Sequence, residues 1–248
     1  SSLMQRYKIK IEYEGTAFVG WQSQKNGQSV QDILQKAIFN FSKEKVVVTG
    51  AGRTDSGVHA LAQVAHFDLK KKIQKKSLLP AINQNIGNKP VTILKISKVN
   101  KKFHARYDAT KRTYLYLIIN RQSPLTLQKN KAWHIRKKLD LKNMKKGAKL
   151  LLGTHDFSTF RAASCGAKSP IRTMEKILIK KDKDKITLQF TSRSFLQQQV
   201  RSMVGCIKYL GEEKWNINNF KESFKSKNRT KCAPPAPACG LYLKKIYY

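Results

Sequence analysis

The sequence predicts an α+β fold of two similar domains, each a mostly antiparallel sheet with helices. Short runs alternate apolar and polar residues with period two, as half-buried strands do. Between them lie helical stripes closed by recognisable caps. Both halves of the 248 residues also supply the same order, strands, then a helix, then more strands. No internal repeat accompanies that order, so the similarity of the halves rests on element order alone. The division is placed to give domains at 4–105 and 106–248.

In chain order, "YKIKIEY" sets Tyr7, Ile9, Ile11 and Tyr13 against Lys8, Lys10 and Glu12, a half-buried strand. A helix follows with Val30, Ile33, Leu34, Ala37, Ile38 and Phe41 at helical spacing, and Ser29 with Asp32 placed as a capping box. "KVVV" (45–48) reads as a short strand, "LAQVAHFDL" (61–69) as the next, and a second helix is expected from Ser77. "VTILKISKV" (91–99) and "TYLYLIIN" (113–120) are strands by their β-branched and aromatic content. "LDLKNMKKGAKLLLG" is a helix with Asp140 as N-cap and Gly153 as stop. "MEKILIKKDKDKITLQFTS" is two strands about a charged turn. "SFLQQQVRSMVGCIKYLG" places Leu196, Val200, Met203, Val204, Ile207 and Leu210 on one helical stripe, and "GLYLKKIYY" closes as a strand.

With 40% hydrophobic residues the chain has material for a core. The 50 Lys plus Arg against 15 Asp plus Glu give a formal charge of +35, which favours polyanionic partners, nucleic acid before anionic membrane. No apolar run reaches the roughly 18 residues of a membrane span, so no membrane association is expected. "SSLMQRYKIKIEYEG" lacks the apolar region of a signal peptide, and Cys165, Cys206, Cys232 and Cys239 form no C-x-x-C pair. They read as reduced thiols of a cytoplasmic protein. Whether Ser1–Leu3, ahead of Met4, are native is left open by the sequence.

Acidic residues are scarce, so Asp55 in the Gly-rich stretch "GAGRTDSGVHA" (50–60) asks for a reason. The stretch resembles the active-site motif of the TruA family of tRNA pseudouridine synthases. The resemblance continues in order through "GTAFVGWQ" (15–22) with "SVQDILQKAI", "KRTYLYLIIN" (111–120), "HDFSTFRAASCGAKSPIRT" (155–173), "SFLQQQVRSMVG" (194–205) and "APPAPACGLYLKKIYY". It covers nearly the whole chain. Ser56 stands where alanine is common in the family and Gln199 where many members have methionine; neither carries chemistry.

The resemblance implies the pseudouridine synthase fold with a basic cleft between the halves. It implies isomerisation of uridine to pseudouridine at positions 38 to 40 of the tRNA anticodon arm, and a homodimer. The reaction breaks the N1–C1′ bond, turns the uracil and forms a C5–C1′ bond. Nothing is oxidised, hydrolysed or released, so no cofactor and no metal is expected. Asp55 takes the role of the catalytic carboxylate, by covalent attack or by removing a proton from C2′. The bland alternative is a turn hydrogen bond. Arg201 is implied as the ion-pair partner that keeps that carboxylate charged against desolvation. Its rival reading is an arginine lying along the core edge. Tyr114 is implied to pack on the target base, with Tyr116 on the same strand face as a rival core aromatic. Arg53, two residues from Asp55, either assists base flipping or pairs with phosphate. Arg161, Lys168 and Arg172 are implied to touch the RNA backbone; His59 supports the loop. Trp21 and Trp133 read as core.

Two other enzyme classes fit poorly. A zinc deaminase needs H-x-E and P-C-x-x-C ligands, which the sequence lacks. A metal-dependent nuclease needs clustered acids, and Asp55 has no acidic neighbour before Asp68. A non-catalytic protein that binds structured RNA is the remaining alternative, separable by the effect of Asp55→Asn.

Overall fold

Strand β1 (Gln5–Tyr13) pairs antiparallel with both β3 (His59–Leu69) and β4 (Val91–Val99). Its alternation sends Tyr7, Ile9, Ile11 and Tyr13 inward, each at most 4% exposed. Burial of one such side chain contributes roughly 1.5–3 kcal/mol. The computed structural model describes residues 4–248 and divides into two compact units, 4–110 with Leu243–Tyr248, and Lys111–Tyr242. The question about Ser1–Leu3 lies outside the described residues. Each unit is a mostly antiparallel sheet with helices.

In the first unit the sheet order is β4-β1-β3-β10, with β2 (Thr49–Gly50) added on β3 and β10 spanning Leu241–Tyr247. Helix α1 (Val30–Ser42) packs on α2 (Lys75–Ile86), and α2 on β4. The Ser29 hydroxyl accepts from Asp32 N at 3.0 Å. The Asp32 carboxylate accepts instead from the Ser23 hydroxyl at 3.1 Å, so half of the expected capping box forms. Aspartate is one methylene shorter than the glutamate that usually completes such a box.

"KVVV" does not form the expected strand. Val47 is 72% exposed, and the Val48 backbone is satisfied by α1: Gln35 Oε1 accepts from its N–H at 3.1 Å and Gln31 Nε2 donates to its carbonyl at 2.8 Å. With both polar groups taken by glutamine side chains, no ladder is needed. Helix α2 begins at Lys75, two residues before the expected Ser77.

In the second unit the order is β5-β9-β8-β7, for β5 (Lys111–Asn120), β9 (Lys185–Ser192), β8 (Ile171–Asp182) and β7 (Gly153–Asp156). Strand β6 (Trp133–Ile135) lies parallel to β5. Helices α3 (Leu141–Leu150), α4 (Gln199–Gly211) and α5 (Ile217–Ser226) pack on one another. Three expectations need correction here. Gly153, at φ +94, opens β7; α3 has already ended at Leu150. Leu196 is buried but precedes α4, because Gln198 takes a left-handed turn at φ +63 and the Gln199 carboxamide accepts from Leu196 N at 2.9 Å. Strands β6 and β7 and helix α5 were not expected. Helix α5 buries only Phe220 and Ser223, too thin a stripe for periodicity to reveal.

Candidate active site

The loop that carries Asp55 is built by a segment forty residues earlier. Gly15 to Trp21 lies against it so closely that a Cβ on Gly15 would come within 1.9 Å of Val58 O. A Cβ on Gly20, which sits at φ +107, would come within 2.4 Å of Thr54 O. Trp21 N donates to Thr54 O at 3.2 Å, Ser56 Oγ donates to Phe18 O at 3.1 Å, and the Thr54 and Tyr13 hydroxyls share a 2.6 Å bond. From the strand side, Ala51 N donates to Val64 O at 2.8 Å and Gln63 Nε2 to Gly52 O at 2.7 Å. The buried His59 accepts from Gly15 N at 2.8 Å through Nδ1, which ties the loop's end to the same segment. His59 is therefore structural.

This packing sorts the loop by side chain. Thr54 is buried, Arg53 is exposed and Asp55 is half-buried. Asp55 O also accepts from Val58 N at 3.1 Å, closing the turn at Gly57, φ +84. A half-buried carboxylate on a backbone pinned at so many points has a defined position and still reaches solvent. Trp21, 3% exposed, is core and lies over Gly50.

The second unit holds Tyr114, Arg161, Lys168, Arg172 and Arg201. The two tyrosines of β5 part company. Tyr116 is fully buried, donates its hydroxyl to Pro237 O at 2.7 Å and fills the space left by Gly240. Burial pushes its phenol well above the ordinary value. Tyr114 is half-buried and meets Phe195 edge to face at 5.1 Å. Trp133 is half-buried rather than core, with Tyr116 edge to face at 6.1 Å and the Lys208 ammonium 5.4 Å from its ring centre.

Arg201 is half-buried on α4, and its Nε donates to Ala236 O at 2.8 Å. It is thus a held side chain and not one lying loose along the surface. Arg161 Nη1 donates to Ala167 O at 3.3 Å and Lys168 is exposed. Arg172 Nη1 donates to Ser169 O and Ile171 O, both at 2.8 Å. Its Nε is buried and, among the described residues, has no hydrogen-bond partner. Burial lowers its pKa from the ordinary arginine value, Arg161 adds to that and Cys165 opposes it.

Arg161 also lines a cavity of about 510 Å³ together with Cys165, Lys227, Asn228 and Arg229. Lys227 and Arg229 were not singled out from the sequence, although "KNRTK" (227–231) is a basic run in an irregular stretch. Among the described residues no group of three His, Cys, Asp or Glu gathers as metal ligands, and no helix is long and apolar enough to cross a membrane.

A family model described as tRNA pseudouridine synthase matches residues 9–108 and 148–248. A protein named tRNA pseudouridine synthase A from Pelagibacter ubique is 56% identical over 246 residues, covering 99% of this chain and 100% of its own length. Proteins of the same name from Maricaulis maris and Parvibaculum lavamentivorans are 46% and 44% identical, each covering 99% of this chain and 98% and 100% of the relative. The chain belongs to the tRNA pseudouridine synthase family.

Proposed function

We propose that the chain is a tRNA pseudouridine synthase, an isomerase that converts uridine in tRNA to pseudouridine, and that Asp55 starts the reaction. The observation that carries the reading of Asp55 is the fixed loop. A carboxylate attacking C1′, or drawing a proton from C2′, must hold its position to within a fraction of an ångström as the glycosidic bond breaks. The Gly15–Trp21 segment and β3 supply that rigidity by backbone contact.

The remaining roles follow from burial and charge. By role, 4–105 brings the carboxylate and 106–248 brings Tyr114 and Arg201. Tyr114 packs on the extruded uracil; it has the half-exposed ring that such stacking needs, whereas Tyr116 is spent on Pro237 and Gly240. Arg201 keeps the Asp55 carboxylate ionised. Arg53, exposed beside it, holds the flipped nucleotide or its phosphate. Arg161, Lys168 and Arg172 take the RNA backbone through their charge. The substrate region is the anticodon arm, positions 38 to 40, and the working form is a cytoplasmic homodimer.

The test is to incubate the purified chain with unmodified tRNA transcripts in chelator and map pseudouridine along the product. Wild type yields pseudouridine in the anticodon arm. Asp55→Asn binds the same tRNA and forms product more slowly, by on the order of 10³-fold. Full product from Asp55→Asn would overturn its role, and tRNA binding without product from wild type would leave a non-catalytic RNA-binding protein.

A further inference from the structure

Helix α4 is overlaid by the segment 232–237, which runs along it in the opposite sense. At one end Cys232 Sγ lies 3.6 Å from Cys206 Sγ and 3.8 Å from Ser202 O. In the middle the backbones touch: a Cβ on Gly205 would come within 2.1 Å of Pro234 O. At the other end Ala236 N donates to Arg201 O at 2.9 Å while Ala236 O accepts from Arg201 Nε at 2.8 Å. The strap therefore joins a pair of thiols to the arginine that the proposed mechanism needs.

We propose that Cys206 and Cys232 form an oxidisable dithiol, closed to a disulfide by a hydroperoxide, and that closure withdraws the strap from Arg201. Cys232 is the half-exposed member and Cys206 the buried one, so the first meets the oxidant and the second resolves it. The Cys206 thiol donates toward Cys232 and holds it below the ordinary thiol value, with burial opposing and the Arg229 guanidinium assisting. Giving that bond and being buried push Cys206 up.

The Cys232 thiolate attacks one oxygen of the hydroperoxide. An S–O bond forms, the O–O bond breaks, and the departing oxygen takes a proton. Cys232 is then a sulfenic acid, oxidised by two electrons at the peroxide's expense. Cys206 sulfur attacks Cys232 sulfur, the S–S bond forms, and hydroxide leaves with the Cys206 proton as water. The sulfurs must close from 3.6 Å to about 2.0 Å. Gly205 and Pro234 are already in contact, so the strap cannot follow inward at its centre. It turns about that point, and Ala236 leaves Arg201.

The effect on activity rests on the reading of Arg201 above; the disulfide itself does not. The folded full chain is treated with hydrogen peroxide, alkylated, digested and analysed by mass spectrometry, with Cys165 and Cys239 as internal comparisons. A Cys206–Cys232 linked peptide is expected in wild type and absent from Cys232→Ser and Cys206→Ser. Pseudouridine formation should fall by about tenfold or more on oxidation of wild type and return with dithiothreitol. Cys232→Ser should keep its rate under peroxide. Oxidation confined to Cys165 or Cys239 would overturn the proposal, as would a linked protein of unchanged rate. Failure of unoxidised wild type to make pseudouridine would strike the proposed function and leave the disulfide result standing.

Discussion

Two irregular segments of this chain carry its candidate polar contacts, and they are built in opposite ways. The stretch from Gly50 to His59 is held from both sides by backbone bonds, a buried hydroxyl pair and glycines with no room for a Cβ. The stretch from Arg161 to Pro170 is tied by fewer bonds from distant residues, chiefly Ala162 N to Gln197 O at 2.9 Å and Phe157 N to Pro170 O at 3.0 Å. A Cβ on Gly166 would meet nothing within 4 Å. The difference matches the role proposed for each. Bond making and breaking at C1′ tolerates little displacement, whereas charge attraction to phosphate falls off slowly with distance and tolerates a looser mount.

The sharpest test of that contrast is Asp55→Asn, which should lower the rate of pseudouridine formation by on the order of 10³-fold with tRNA affinity little changed. Single-turnover assays beside filter binding would read both. Next in size is the frame. Gly20→Ala meets Thr54 O at 2.4 Å from a backbone at φ +107, so it should cost about 2–4 kcal/mol in denaturant unfolding and reduce the rate as well. An unchanged midpoint would show that the first loop is less rigid than its contacts indicate.

The strand leaving that loop also has a pH limit. His66 on β3 is buried and accepts from Ala105 N at 3.0 Å. Desolvation, helped by Arg6 and His104 and opposed by Asp68 and Asp108, lowers its pKa from 6.5 to about 4. Between those values the unfolded chain binds more protons than the folded one. Stability is therefore complete above about pH 6.5 and is lost as pH falls toward 4, by roughly 2–3 kcal/mol. Denaturation of wild type and His66→Gln at pH 7 and pH 4.5 would reveal it; equal losses in both would sink it.

Smaller effects belong to the looser segment. Lys168→Ala should weaken tRNA binding modestly and reduce the slope of log K against log salt by about 0.7–0.9, the signature of one lost phosphate contact. Gly166→Ala should change stability by no more than about 0.5 kcal/mol. A large loss there would erase the distinction between the two segments.

Much of the scaffold was legible because its signals are local. Alternation in β1 and β4, the helical stripe of α1, and the Ser29 and Asp140 caps all act within a few residues. "KVVV" misled because Gln31 and Gln35 on the preceding helix occupy Val48's polar groups. Helix α5 hid because it buries so little, although the reciprocal Asn216 and Asn219 bonds, both 2.9 Å, form a capping box. An N-x-x-N spacing was the available signal.

Residue types and their order, taken alone, pointed to the family and to Asp55 as its candidate carboxylate, because motifs and charge survive in one dimension. They could not say what surrounds Tyr114 and Tyr116, which share a strand face and a residue type and were ranked only by place in the matched motif. Nor could they show the strap at Arg201 or the cations around the 510 Å³ cavity. Those were decided by what lies opposite each side chain. Pro237 and Gly240 take up Tyr116, Ala236 holds Arg201, and Arg161 lines the same cavity as Lys227 and Arg229 across more than sixty residues of sequence. Periodicity reports which face of an element turns inward; only the folded chain supplies the partner that meets it.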